Sequence, residues 1–100
     1  MNLQKEDILK YLTAKKSEFN RDFVIIKLGL LGSYAQDKHT ENSDIDLLVE
    51  FEPNTESLAE KKMEIKKAIQ SVFGKEVDIC REKYIKPYFR QQILDSMIYV

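Results

Sequence analysis

Little in this sequence suits sulfur or imidazole chemistry. A single cysteine, Cys80, has no partner for an intrachain disulfide and cannot build a Cys zinc cluster. A single histidine, His39, removes His-based zinc sites and makes a Ser-His triad a poor reading. No apolar run approaches the roughly 20 residues of a membrane span. The polar start Met1-Asn2-Leu3-Gln4-Lys5-Glu6 is unlike a signal peptide, so no membrane and a cytoplasmic location are expected. An excess of one charge is lacking too: 16 basic residues against 17 acidic leave −1. That balance argues against direct nucleic acid binding on a broad basic surface, yet leaves room for a local cationic pocket. Repeats, low-complexity tracts and long linkers are absent, and residues 1–100 read as one domain.

What is present is globular: 43% hydrophobic and 33% charged residues. A chain of this size buries about two-thirds of its unfolded surface. Modest stability is therefore expected, and a partner, as a homo- or hetero-oligomer, would add to it. Leu3, Ile8, Leu9, Leu12 and Phe19 recur near helical spacing over residues 3–19, with Asn2 as the expected N-cap. Phe23 to Leu31 is almost continuously apolar and predicts a buried strand ending at Gly32-Ser33, where a short helical turn begins. Lys38 to Ser43 reads as a polar loop and Ile45 to Phe51 as a second strand, stopped by Pro53-Asn54. Leu58, Ile65, Ile69 and Val72 mark one face of a lysine-rich helix, capped by Ser57 or Thr55 and closed by Gly74. Glu76 to Cys80 predicts a third strand. Pro87 opens a last helix, with Phe89, Ile93, Leu94 and Met97 on its apolar side. Strands alternating with helices predict a small α/β or α+β fold: a mixed sheet flanked by helices.

The chemistry sits on the strands. Side chains alternate across a strand, so Asp44 and Asp46 share a face while Ile45, Leu47, Val49 and Phe51 face the core. Adjacent carboxylates repel unless a cation neutralises them, and Mg²⁺, with its preference for oxygen, suits the pair. If the third strand lies beside the second, Asp78 joins them. Three carboxylates can then hold two cations roughly 4 Å apart, as in-line phosphoryl transfer requires. Asp78 is the natural acceptor for the nucleophile's proton. Gly32-Ser33 supplies the other half: a glycine that lets backbone approach a phosphate, followed by N–H groups and a hydroxyl.

Gly32-Ser33, ten intervening residues and Asp44-x-Asp46 resemble the signature of the DNA polymerase beta-like nucleotidyltransferases. Leu31-Gly32-Ser33-Tyr34-Ala35 with Ser43-Asp44-Ile45-Asp46-Leu47-Leu48-Val49-Glu50-Phe51, and the later Val77-Asp78-Ile79, look like the minimal nucleotidyltransferases, the MntA-type antitoxins. The resemblance implies ATP as donor, Mg²⁺ as cofactor, and transfer of AMP with release of pyrophosphate. It implies a HEPN-domain toxin as partner, neutralised by AMP added to a tyrosine. It assigns Asp44, Asp46 and Asp78 to catalysis and metal, and Gly32 and Ser33 to phosphate. One departure stands out, because such proteins carry Arg-Gly where this chain has Gln36-Asp37. Glutamine offers only neutral hydrogen bonds, Asp37 adds negative charge, and Lys38 can partly compensate.

Other residues receive plainer readings. His39 is expected to be solvent-exposed and Cys80 to be packing. Lys61-Lys62 with Lys66-Lys67 read as a solvated face, or one that meets an acidic partner. Tyr84, Tyr88 and Phe89 are expected in the core or an interface rather than on adenine. Met97-Ile98-Tyr99-Val100 is expected to dock on the body or on another subunit. The principal competitor to the enzyme is a binding module that blocks the toxin by contact, a reading that Gln36-Asp37 favours. Transfer to a small molecule is less attractive, since a hundred residues leave little chain for an acceptor pocket.

Overall fold

The computed structural model describes residues 3–100, so Asn2, the expected first cap, lies outside the described residues. The first helix, α1 (Lys5–Phe23), starts after Gln4, whose backbone N–H donates to the Asp7 carboxylate at 3.0 Å. Ile8, Leu12 and Phe19 form its buried stripe. The helix runs four residues beyond the periodicity and takes in Phe23. It stops where Val24 turns left-handed, with φ 52°, and donates its N–H to the Asn20 carbonyl. Asn20 then donates its side-chain amide to the Ile25 carbonyl at 2.6 Å, tying the turn to the first strand.

That strand, β1 (Ile25–Leu31), is followed by a single helical turn, α2 (Gly32–Ala35), and by β2 (Ile45–Phe51). Next come α3 (Leu58–Phe73), β3 (Val77–Cys80), a short 3₁₀ turn at Glu82–Tyr84, α4 (Pro87–Ser96) and β4 (Ile98–Tyr99). The strands form one mixed sheet in the order β3-β2-β1-β4. β1 is antiparallel to both β2 and β4, whereas β2 and β3 are parallel.

Alternation along the strands sorts two apolar layers. Leu28, Leu30, Ile45, Leu47, Val49, Phe51 and Val77 meet Ile8, Leu12, Ile65 and Ile69 of α1 and α3 on one face. On the other face, Leu31 and Leu48 pack with Met97 under Ile93 and Leu94 of α4. Val72 departs from the expected stripe: it is exposed, and Phe73 packs against the core in its place, edge-on to Tyr11 at 5.3 Å. Ser57 does occupy the cap position of α3, but in a left-handed conformation (φ 57°) and without a capping side-chain bond. The Thr55 hydroxyl turns back to the Glu52 carbonyl instead. Gly74 closes α3 as expected.

Phe89, placed on the apolar side of α4 by its spacing, is half exposed, and Tyr84 and Tyr88 are more exposed still. None of the three is a core residue. The C-terminal segment docks on the body as β4, beside β1. Gly29 makes this possible, because a Cβ there would stand 2.7 Å from the Met97 sulfur. A short polar network pins the 3₁₀ turn to β2: Glu50 accepts the Glu82 backbone N–H at 2.8 Å and pairs with Arg81. Among the described residues no helix is long and apolar enough to cross a membrane.

Candidate active site

The register of the sheet decides which of the proposed site residues meet. Asp46 is opposite Leu31 on β1 and beside Asp78 on β3. It therefore stands between the end of β1, where Gly32 begins α2, and the carboxylate of the outer strand. Residues in register in a sheet project to the same face, so Asp46 and Asp78 are neighbours. Asp44 immediately precedes β2 and is exposed, as is Asp78, while Asp46 is half-buried. Burial, followed by the charges of Asp78 and Asp44 and a hydrogen bond with Asp78, pushes the Asp46 carboxyl up to about 6 from 3.8. The carboxylates are thus an unneutralised cluster centred on Asp46. Among the described residues no three His, Cys, Asp or Glu side chains are gathered into a ready-made metal cage. Asp46 and Asp78 form the inner pair, and Asp44 adds charge from the rim.

Gly32 does more than permit a close approach of ligand. Its φ is 71°, in the left-handed region, and a Cβ built on it would run into the Asp46 carboxylate. The space a side chain would need is the space Asp46 occupies. Ser33 is half-buried on the same turn, and its carbonyl accepts the Lys38 N–H at 2.9 Å. α2 has only four residues, so the anion-binding capacity here lies in its unpaired N–H groups more than in a dipole.

A cleft of about 240 Å³ opens between these groups and α4, lined by Gly32, Gln36, Asp46, Asp78, Cys80 and Ile93 among others. Larger hollows of about 500, 650 and 360 Å³ contain none of the three aspartates, and one of about 280 Å³ beside α3 touches Asp78 alone of the three. Chemistry rather than size locates the site. The wall supplied by Ile93 and Ser96 was not anticipated; three residues apart on α4, they lie on one helical face, but only the tertiary fold aims that face at the aspartates. Cys80 packs in the cleft, its thiol pushed up by burial and then by Asp46, and Lys62 acts in the opposite sense. An elevated thiol pKa suits packing rather than nucleophilic attack.

The residues that depart from the family pattern divide. Gln36 is exposed and lines the cleft. Asp37 does not load the cleft with charge, because it pairs with Lys5 of α1 at 2.7 Å. Its φ of 57° is one that glycine adopts more readily than a residue with a side chain. Lys38 is exposed and is not among the residues lining the cleft. His39 is not simply solvated: its ring stacks on the buried Tyr34 at 4.2 Å, and its Nδ1 is buried without a partner among the described residues. The polar loop around it is held by its own side chains, with Thr40 N–H donating to Ser43 Oγ at 2.8 Å and Lys75 reaching the Glu41 carbonyl.

Comparison with known proteins agrees with this geometry. Residues 10–100 match the nucleotidyltransferase domain family. Protein adenylyltransferase MntA of Thermococcus cleftensis is 32% identical over 95 residues, covering 95% of this chain and 94% of the relative. A chain of Methanocaldococcus jannaschii assigned as a protein adenylyltransferase is also 32% identical, over 94% of this chain and 95% of its own length. A solved structure assigned as a minimal nucleotidyltransferase superposes with a TM-score of 0.78 at 29% identity, covering 97% of this chain and 96% of the other. The crystal structure of a toxin–antitoxin pair with AMP-PNP shares the fold, with a TM-score of 0.64 at 23% identity over 97% of this chain and 72% of that one.

Proposed function

This chain belongs to the nucleotidyltransferase domain family and is a nucleotidyltransferase of the protein adenylyltransferase kind, and from that premise we propose that it moves AMP from ATP to a hydroxyl of a partner toxin. The observation that carries this reading is the pairing of Asp46 with Asp78 directly beside Gly32-Ser33. The resemblance to the MntA-type antitoxins supports a HEPN-domain protein as that partner, a tyrosine as the acceptor, and the cytoplasm as the place of action.

The residues fit Mg²⁺: the Asp46 carboxyl is raised by burial and then by the charges of Asp78 and Asp44, so a cation there would relieve it, and all the donors are oxygens. Asp44, Asp46 and Asp78 would hold the Mg²⁺, which would supply charge neutralisation for the phosphates and a lower pKa for the attacking hydroxyl. Backbone N–H groups at Gly32 and Ser33, with the Ser33 hydroxyl, grip the phosphates. Asp78 takes the proton of the acceptor hydroxyl. The new oxygen–phosphorus bond forms at the α-phosphate as the bond to the β-phosphate breaks, and pyrophosphate leaves.

Incubation of the purified chain with the protein encoded beside it, ATP and Mg²⁺ tests the reading by intact mass. The partner is expected to gain whole AMP units. A partner that is inhibited with no change of mass would replace the enzyme with the contact-blocking module. Gln36 bears on the rate of transfer. A guanidinium at the mouth of the cleft can make charge-assisted hydrogen bonds worth roughly 1.5–3 kcal/mol. Gln36→Arg is therefore expected to tighten triphosphate binding or speed transfer about tenfold, read by titration calorimetry and initial rates. An unchanged variant would mean that residue 36 does not face the phosphates.

A further inference from the structure

We propose that the groove between α3 and β3 receives the acceptor as an extended segment of the partner protein, with acidic residues flanking its hydroxyl. This rests on the adenylyltransferase reading and adds where the second substrate enters. The strand order gives the direction. Gly32 and Ser33 lie on the β1 side of Asp46, and Asp78 lies on β3, the outermost strand. In-line displacement places the nucleophile opposite the leaving group. With the phosphates over Gly32-Ser33, the hydroxyl must arrive past Asp78, from the β3 side.

The molecule is open there. Among the described residues β3 pairs only with β2, so its other edge has free backbone groups for an extended chain. Beside it runs a groove of about 280 Å³ whose floor is Asp78 and Ile79 and whose wall is Ala59, Lys62, Met63 and Lys66 of α3. Lys62 and Lys66 are four residues apart and share one helical face. Neither is in an ion pair among the described residues. Lys61, by contrast, is occupied by the Glu56 carbonyl at 3.0 Å. Met63, half exposed in the same groove, offers an adaptable apolar contact.

Electrostatics then selects the occupant. Asp44, Asp46 and Asp78 repel an acidic segment from the sheet side, and the two lysines attract it from the helix side. A chain carrying acids next to its hydroxyl is held with those acids against α3 and the hydroxyl turned toward Asp78. A basic segment is repelled by the same two lysines and does not settle in the groove.

Ten-residue fluorescent peptides with a central tyrosine, flanked either by glutamates or by lysines, provide the probes. Anisotropy with the full chain and Mg²⁺, but without ATP, is expected to show the glutamate peptide binding about tenfold more tightly than the lysine peptide. Lys62→Glu with Lys66→Glu should reverse that order, and Lys62→Gln with Lys66→Gln should erase it. Thermal melts and the melting shift caused by Mg²⁺ with ATP should be unchanged in both variants. No preference in the wild type, or a preference that survives the charge reversal, would overturn the proposal. Loss of the ATP-dependent shift would also overturn it by assigning the lysines to the nucleotide. Because the binding assay contains no ATP, its outcome stands whether or not AMP transfer is found. Transfer to the partner at full rate by the charge-reversed protein would sink the groove and leave the adenylyltransferase standing.

Discussion

Asp46→Asn should yield a protein that is more stable without metal than the wild type and has lost its AMP transfer. The Asp46 carboxyl is held at about 6 against 3.8 in its ordinary state. A carboxyl raised on folding binds its proton more tightly in the native protein. Its ionised form therefore burdens the native state, fully above pH 6 and not at all below about pH 4. Water reaches this half-buried group, so the burden is discounted to about 1 kcal/mol. That corresponds to a gain of roughly 4–8 °C in Tm for a domain of this size. The gain should be present at pH 7.5 and vanish as the pH falls through 6 toward 4. Addition of Mg²⁺ with ATP should reverse the order, because ligand stabilises only the protein that binds it. Transfer should fall by a factor of 10² or more in this variant and in Asp78→Asn. Asp78→Asn should still bind and retain the partner. An Asp46→Asn protein that melts lower at pH 7.5, or transfers AMP at an undiminished rate, would remove Asp46 from the centre of the site.

Gly32→Ala has an effect of similar size for a steric reason. An L-residue in the left-handed region costs about 1–2 kcal/mol by itself. The added methyl would also occupy the position of the Asp46 carboxylate. A carboxylate displaced by about 1 Å can lose on the order of 10² in rate. Gly32→Ala is therefore expected to melt several degrees lower and to transfer AMP about a hundredfold more slowly. A double-mutant cycle separates the two causes. In an Asp46→Ala background the collision is gone, and only the backbone part of the stability loss should remain. Equal losses in both backgrounds would show that Gly32 is required for its dihedral angle alone.

The parts of the fold that were legible in the sequence are those set by local pattern. β2 runs over the residues its alternation predicts, and Pro87 opens α4 at its first position. The place of Asp46 on the face away from the main core follows from the period of two, and Asp78 comes beside it through the parallel pairing, whereas Asp44 lies just before the strand and is exposed. What escaped depends on contacts distant in sequence. β4 has two residues, too few for any periodicity, and it exists because Gly29 and Leu30 accept it as a neighbour. Phe23 reads as strand in the sequence, because nothing in the composition of Val24 announces the left-handed stop that ends α1 there. The stacking of His39 on Tyr34 joins a loop to a helix turn and has no local signature. The occupation of the missing side chain at Gly32 by a carboxylate fourteen positions later is likewise a tertiary fact.

Val24 has a consequence of another kind. A β-branched residue at φ 52° is among the least comfortable occupants of the left-handed region. Ser57 at φ 57° and Asn54 at φ 64° also sit in left-handed turns. None of the three is among the residues lining the cleft that holds Asp46 and Asp78. Heat tolerance and catalysis are therefore separable in this chain. A laboratory lineage selected at rising temperature has relief available at Val24 and Ser57, where glycine or asparagine fits the backbone better, and can drift there while the catalytic face stays as it is.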